Sequence, residues 1–550
     1  MRVSLSWLKQ LVDYKLNPKD LADKLSLLSI GVKGFSDDFL ELDLTYNRGD
    51  LLSMRGVARE IAAITNSKLK LENLASPKSG LPEVSVTIES PNLSPVYCVA
   101  KIEGLKVAPS NTEWTKKLGD CGIRSINNVA DVTNLIMLEY GQPMHAFDAQ
   151  RVTDETLVVR TAKPGETLIT LDGKTRKLDT EDLLITDPKK PLGMAGVMGG
   201  KDSEISNTTT TILLEAAIFD PIANRKTSKR HGLYSEASKR FQHGLTKTNL
   251  LQALAAAIKM YEGLGGKLTA LTLTGNLEDQ PKTVNLTQQK LNSLIGIDIP
   301  ATQVEESLNR LGFTLASNPR GWNVAPPYWR LDCNIEEDLI EEVARIYGYE
   351  KIPARELTGE KPEKLDESLQ DLVNDLKTEL KKAGLTEVQT YPFFSSKIIE
   401  NCKLQIENLV KIANPISAET EYLKDQLWPN LIEVVARNLK NGLKDIAIFE
   451  IGKTYKPKKG GAEEKYHLSI ALMNGTDNPI AELLSISRGV NLPHTGCVQK
   501  GKLFHPKKIT SDMAEVHPRI LNKLGIEKRV AILEVELSYS STETFSLSSA

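Results

Sequence analysis

Apolar positions along the chain change period several times, and the changes divide it into regions. Leu21, Leu25 and Leu28 recur at helical spacing behind Pro18, so Pro18 to Leu28 is predicted as a helix; Phe39 to Leu44 alternates as a strand, and Arg55 to Ile64 is helical again. Residues 1–75 are therefore a small α+β unit. From 84 to 275 the pattern becomes many short strands separated by turn residues, a sheet-rich domain with helices at its ends. Within it, Asp172-Gly173 between Thr167 and Thr175 predicts a hairpin, because a type I′ turn requires positive φ at both central positions. Residues 283–354 read as helix, helix, strand and a final acidic helix. A polar linker over 353–365 follows, then strands and helices alternate over 366–537, and a Ser/Thr-rich tail occupies 538–550. The fold class is α+β and multidomain.

Composition supports several cores rather than disorder. With 40% hydrophobic and 25% charged residues in 550, and about 150 residues per domain, three to four domains are expected. The longest candidate membrane run, Leu250 to Met260, is interrupted by Gln252 and Lys259. Five cysteines form no CxxC pair and the first residues carry too short an apolar run for a signal peptide, so a reducing cytoplasm is expected. A net charge of -2 argues against a surface that grips nucleic acid everywhere. Two windows depart from balance. Arg225 to Arg240 holds six basic residues against Glu236, a candidate phosphate contact, and Asp332 to Glu342 holds six acids and no base, a candidate cation site.

Individual residues sharpen the picture. Gly193 to Gly200 has the spacing GxxGxxGG rather than GxGxxG, so it either admits a ligand close to backbone or packs a tight turn. His145 follows a helical run and precedes a strand, where a capping or core role competes with catalysis. Glu215 sits between Ile212-Leu213-Leu214 and Ala216-Ala217-Ile218-Phe219, in what reads as buried strand. An acid there needs a partner, either a structural arginine or a ligand hydroxyl. If Glu336 to Tyr347 is helical, Asp338, Glu341 and Glu342 share one face at i, i+3 and i+4, and their repulsion is relieved either by Arg345 or by a hard cation such as Mg²⁺, with Asp332 supplying a further oxygen after the strand Trp329-Arg330-Leu331. In the last region, Glu419 to Leu423 and Ile446 to Gly452 look like the antiparallel core of a class II aminoacyl-tRNA synthetase. No FRxE arginine and no GxGxGxxR accompanies them, so that domain is expected to be catalytically inactive.

Four segments together resemble the β subunits of bacterial phenylalanine–tRNA ligases. They are Glu41 to Asp50 with Arg55 to Glu60; Ile126 to Asn134 with Gly141 to Asp148; Trp329 to Asp332 with Ile335 to Tyr349; and Asn414 to Ser417 with Phe449 to Gly452. The resemblance implies an α2β2 tetramer in which a catalytic α subunit binds ATP and attaches phenylalanine to its tRNA. It also implies an editing domain over 84–275 that hydrolyses tyrosine mischarged on that tRNA, and a synthetase-like domain without catalysis. By the same resemblance, His145 acts at the terminal adenosine and the hydrolytic water, and Glu215 bonds the tyrosine hydroxyl. Gly199 brings backbone near the ring, Ser235 and Ala237 complete the wall, and the basic run borders the pocket. Magnesium, shared with the α subunit, is implied at Asp332, Asp338, Glu341 and Glu342.

The chain resembles a shortened form of that family. Only Val32 to Asp38 stand where an oligonucleotide-binding insert is usual, and the chain stops after Ile532 to Leu537 where a ferredoxin-like anticodon-binding domain usually follows. Gln242 replaces a frequent Glu, and Lys507 to Thr510 depart from the expected glycine-arginine-serine-alanine. Two further readings are a scaffold subunit with an idle editing pocket and a free-standing deacylase of mischarged tRNA.

Overall fold

The strand Thr211–Ile218 shows how the larger part of the molecule is built. Ile212, Leu214 and Ala216 pack with Val129, Val132 and Ile136 of the helix Asn128–Tyr140 and with Leu250, Leu254 and Ala257 of the helix Lys247–Gly263. Leu213 and Ala217 point the other way, into a layer with Val99, Leu157, Val159 and Ile185. A strand covered on both faces reads as a continuous apolar run, which is why its alternation is invisible in the sequence. The computed structural model describes residues 1–77, 80–280, 282–354, 356, 368–474, 478–490, 492 and 512–537. They fall in two units, Met1–Glu356 and Leu357–Ala550.

The first unit carries a four-stranded antiparallel sheet in the order Lys267–Gly275, Val96–Glu103, Thr211–Ile218, Met144–Asp148. A five-stranded sheet runs Met198–Gly199, Pro191–Met194, Leu183–Thr186, Leu157–Thr161, Val86–Ile88, with its last pair parallel. The Leu213 layer lies between them. The N-terminal elements and the segment 284–346, far apart in sequence, share one core that joins Leu8, Leu21, Leu25 and Ile61 to Leu286, Leu308, Trp322, Leu339 and Val343. The helix Pro18–Leu28 buries Leu21 and Leu25 of its predicted stripe together with Ala22, leaves Leu28 half-buried, and starts behind an Asn17 cap.

Three local expectations are corrected. The hairpin at Asp172-Gly173 forms between Thr167–Ile169 and Thr175–Lys177, but only Gly173 has positive φ (77°), so its turn is not type I′. Asp172 instead closes a longer loop with its side chain, accepting from Thr170 Oγ1 at 2.5 Å and Arg176 at 2.7 Å. Where one strand is predicted over 283–354, a three-stranded sheet stands, Val284–Thr287, Gly321–Ala325 and Thr314–Asn318. Trp329-Arg330-Leu331 is irregular rather than a strand.

In the second unit a sheet runs Thr386–Glu387, Ile446–Lys458, Gly461–Met473, Ala531–Leu537, Asp512–Glu515, antiparallel except at its first pair. The helix Trp428–Lys440 covers one face and the helices Ser368–Lys382 and Pro479–Gly489 the other. Glu450, Ser469 and Glu534 form a buried polar row across three of these strands. Lys424 Nζ meets Glu450 at 2.8 Å, and Glu534 accepts the backbone N–H groups of Leu427 and Trp428 at 2.9 Å. Most of the linker over 353–365, the stretch 505–510, Cys497 and the tail 538–550 lie outside the described residues. Among the described residues no helix is long and apolar enough to cross a membrane.

Candidate functional site

His145 reaches its place through a helix stop. Asn127 caps the helix Asn128–Tyr140, accepting from Val129 and Ala130 N–H, and Gly141 ends it in the left-handed region at φ 75°. Gln142 then fastens the turn by donating from Nε2 to the Ala217 carbonyl at 3.0 Å, and the chain enters the strand Met144–Asp148, so His145 lies on a strand opposite Glu215. Its ring packs edge-on against Phe147 with centroids 4.5 Å apart. Nε2 is buried with no hydrogen-bond partner among the described residues, and burial lowers the imidazole to about 4. At neutral pH the ring is uncharged and carries a nitrogen ready for a ligand or water.

Glu215 occupies the Leu213–Ala217 face, in an apolar layer. The partner the protein supplies is not the arginine that the sequence offers as one alternative. It is the phenol of Tyr97, on the neighbouring strand Val96–Glu103, which donates to Oε2 at 2.8 Å. Burial pushes the carboxyl up to about 7, against the opposing pull of that hydrogen bond. Glu215 thus titrates within the physiological range, with one oxygen taken.

The opposite wall is the hairpin Pro191–Met194 and Met198–Gly199, where Gly193 faces Gly199. A Cβ on Gly199 would stand 2.7 Å from His145 Cε1, so only glycine lets these two elements meet. Ser235 opens the helix Glu236–Gln242 as its cap and donates to the Val197 carbonyl at 2.8 Å, tying hairpin to helix. Asn224 repeats the tie from the helix Pro221–His231, donating to the Ala195 carbonyl at 3.1 Å. The five residues expected at one pocket, His145, Glu215, Gly199, Ser235 and Ala237, all line a single cavity of about 260 Å³. A dry cavity of roughly 150 Å³ accommodates benzene, so this one has room for an aromatic side chain and more. Phe147, Phe241, Leu171 and Met198 supply its apolar walls. These four, and Tyr97 behind them, escape sequence reasoning. They read as ordinary strand and helix core until pairing shows which ones converge.

The basic run is only partly available. Arg240 is fully buried against Glu236 and Arg230 is bound to Asp182 and Glu181, whereas Arg225, Lys226 and Lys229 are exposed along the helix Pro221–His231.

The four carboxylates implied for magnesium do not fit such a site as the structure places them. Both oxygens of Asp332 accept from Arg330 at 2.8 Å. Glu342 turns into the core, accepting from Arg330 and, at 2.8 and 2.6 Å, from Arg345, while its neighbour Glu341 faces solvent. Asp338 closes the helix N-terminus, accepting the Asn334 and Ile335 N–H groups at 2.6 and 2.9 Å. Among the described residues no three acidic, histidine or cysteine side chains converge as metal ligands. Repulsion on the acidic helix is relieved by arginine, and the chain of charges continues. Arg345 also donates to Glu60, and Arg48 joins Glu60 to both oxygens of Asp50 at 2.9 Å. Three guanidiniums thus alternate with four carboxylates between the N-terminal elements and the segment 284–349. Burial would raise Glu60, but the Arg345 and Arg48 guanidiniums overcome it and hold the carboxyl down at about 2.

Comparison with known proteins follows the same order along the chain. Residues 93–266 match the B3/4 domain, 284–349 the tRNA synthetase B5 domain, and 352–482 the phenylalanyl tRNA synthetase beta chain CLM domain. The phenylalanine–tRNA ligase beta subunit of Streptococcus agalactiae is 36% identical over 461 residues, covering 80% of this chain and 56% of that protein. The Geobacillus kaustophilus beta subunit is 37% identical over 462 residues, covering 81% and 57%. An N-terminal fragment of the phenylalanyl-tRNA synthetase beta subunit from Pyrococcus horikoshii aligns with a TM-score of 0.37 at 16% identity, over 63% of this chain and 99% of that one. The chain spans about half the length of the curated relatives it matches. With these three domain matches in succession along the chain and over a third of aligned positions identical, the chain belongs to the phenylalanine–tRNA ligase beta-subunit family.

Proposed function

We propose that this chain works as the beta subunit of a phenylalanine–tRNA ligase and that the 260 Å³ cavity hydrolyses tyrosine mischarged on phenylalanine tRNA. The observation that carries the reading is Glu215, a buried carboxyl with one oxygen bonded and the other left for a ligand, in a cavity otherwise walled by apolar and aromatic groups. A tyrosine ring places its phenol on that oxygen. A phenylalanine ring leaves the carboxyl unsatisfied, and a site built on such a hydrogen bond discriminates by roughly 10⁴. His145 is uncharged at neutral pH, and its Nε2 is the group that would take a hydrogen bond from the water or from the terminal ribose. Water adds to the ester carbonyl carbon, the bond to the ribose oxygen breaks, and tyrosine leaves the intact tRNA end.

In this reading the chain pairs with an α subunit, which binds ATP and attaches phenylalanine. The second unit supports it without activating an amino acid, because the synthetase arginines are missing and its buried Glu450 and Glu534 are satisfied from within by Lys424 and by the Leu427 and Trp428 amides. The test is a complex reconstituted with the α subunit. It should release tyrosine from tyrosyl-tRNA and spare phenylalanyl-tRNA, Glu215→Ala should abolish most of the difference, and phenylalanyl-adenylate should form only when the α subunit is present. Hydrolysis of tyrosyl-tRNA no faster than in buffer removes the editing function, and adenylate formed by this chain alone removes the division of labour.

A further inference from the structure

The pocket reading leaves one buried group without a task. Tyr97 is completely buried and stands behind the cavity wall on the strand Val96–Glu103. Its register partner is Ala217, and Val99 is opposite Glu215, so Tyr97 lies one same-face step from the acid, within reach of a long side chain. Among the described residues its hydroxyl makes the one hydrogen bond to the Glu215 carboxyl, at 2.8 Å to Oε2. The register neighbours of the acid on that face, Val99, Leu213, Ala217 and Phe147, offer no side-chain polar atom, and His145 sits across on the other neighbouring strand; Thr272, beyond Val99, donates to the Val84 carbonyl at 2.8 Å. A free carboxyl has a broad, two-fold terminal torsion and presents either oxygen in many orientations. Nothing in an apolar layer would choose among them.

We propose that Tyr97 is the positioning residue of this pocket: its phenol anchors Oε2 of Glu215 and so presents Oε1 to a phenolic hydroxyl on the ligand. The acid is then shared between two phenols, one from the protein and one from the bound molecule. The ligand class rests on the editing function proposed above, whereas the anchoring of Glu215 does not. Because the phenol donates to the carboxylate, it also favours the ionised acceptor form, the form that cannot donate to a ring lacking a hydroxyl. Tyr97 touches no ligand and acts only through Glu215.

Tyr97→Phe in the full chain, which keeps the ring and removes the anchor, tests this in two ways. The first is the titration of Glu215, followed by ¹³C NMR of carboxyl-labelled glutamate and assigned by its loss in Glu215→Gln. Its midpoint should rise in Tyr97→Phe and fall when 3-fluorotyrosine, a stronger donor, is placed at 97. An unmoved midpoint overturns the anchoring. The second is calorimetric affinity for amide-linked tyrosyl- and phenylalanyl-adenosine, which cannot be hydrolysed. Tyr97→Phe should lose about tenfold of the tyrosyl preference, leave the phenylalanyl affinity unchanged, and have no further effect in a Glu215→Gln background. An equal loss for both analogues, or a loss that persists without Glu215, marks a packing role and overturns the proposal. If the unmutated chain binds both analogues alike, it is the editing function that falls, and the titration alone decides what Tyr97 does.

Discussion

Glu215 and His145 face each other across two strands, and burial acts on them in opposite senses. For Glu215, an ordinary carboxyl value near 4.5 becomes about 7, so between those values the folded chain holds a proton that the unfolded chain has released. Stability from this residue therefore declines as pH rises through that window. For His145, 6.5 becomes about 4, so the unfolded chain holds the extra proton and stability declines as pH falls through that range. The slopes largely cancel in the unmutated protein. Glu215→Gln should uncover this: at pH 8 the variant should be more stable, by roughly 3 kcal/mol for a shift of this size, and the gap should close by about pH 4.5. Melting temperatures at the two pH values check it. Equal melting temperatures at pH 8 would mean that Glu215 is not the buried carboxyl described here. The pocket thus holds a group that is unfavourable for stability, as a site that reserves an acceptor for a ligand must.

At the scale of elements, the pocket depends on how closely a hairpin approaches a strand. Gly199 is the point of contact, its missing Cβ replaced by the His145 ring. Gly199→Ala should push the imidazole off its packing on Phe147 and lower kcat/KM for tyrosyl-tRNA at least about tenfold, with a small change in melting temperature because the hairpin lies at the sheet edge. Unchanged kinetics would place the reacting ester elsewhere. Elements with a strong local signal were legible before any pairing was known: Pro18–Leu28 by its stripe, and the acidic helix Glu336–Tyr347 by its period. The short strands 284–287, 314–318 and 321–325 carry too few residues for alternation to show and exist because they pair with one another. The Asp172-Gly173 turn failed as a type I′ hairpin because Asp172 gains more from its side-chain bonds to Thr170 and Arg176 than from a left-handed backbone.

For the molecule as a whole, the alternating charges from Asp50 through Arg48, Glu60, Arg345, Glu342 and Arg330 to Asp332 act as a joint between elements nearly 300 residues apart in sequence. Removing one member leaves buried charges unpaired, so Arg345→Met should destabilise the chain by roughly 3–5 kcal/mol, measured by denaturant unfolding. Glu60 is held at about 2, below an ordinary 4.5, so its contribution is complete above pH 4.5 and is lost as pH falls towards 2. The unmutated chain should accordingly lose stability steeply in that acid range, and Arg345→Met much less so. Parallel acid titrations of the two would contradict the joint. Magnesium added at millimolar concentration should leave both melting temperatures unchanged, since arginines already occupy Asp332 and Glu342.

By itself the sequence determined the elements with a strong local period, the resemblance to one family, and through it which five residues to seek at the pocket, because period and long motif runs are local and survive without coordinates. It also singled out Glu215, since an acid inside an apolar strand is anomalous wherever it occurs. What covers that acid was left to the tertiary structure. Tyr97 is 118 residues away and becomes its partner only through strand register. The acidic helix shows the same division. Local spacing shows that its charges repel, and both arginine and metal relieve that repulsion on paper. Arg330, Arg345, Arg48 and Glu60 were chosen by the folding of two distant segments onto one core. Electrostatic energy depends on distance and burial, and neither is a property of position along a chain.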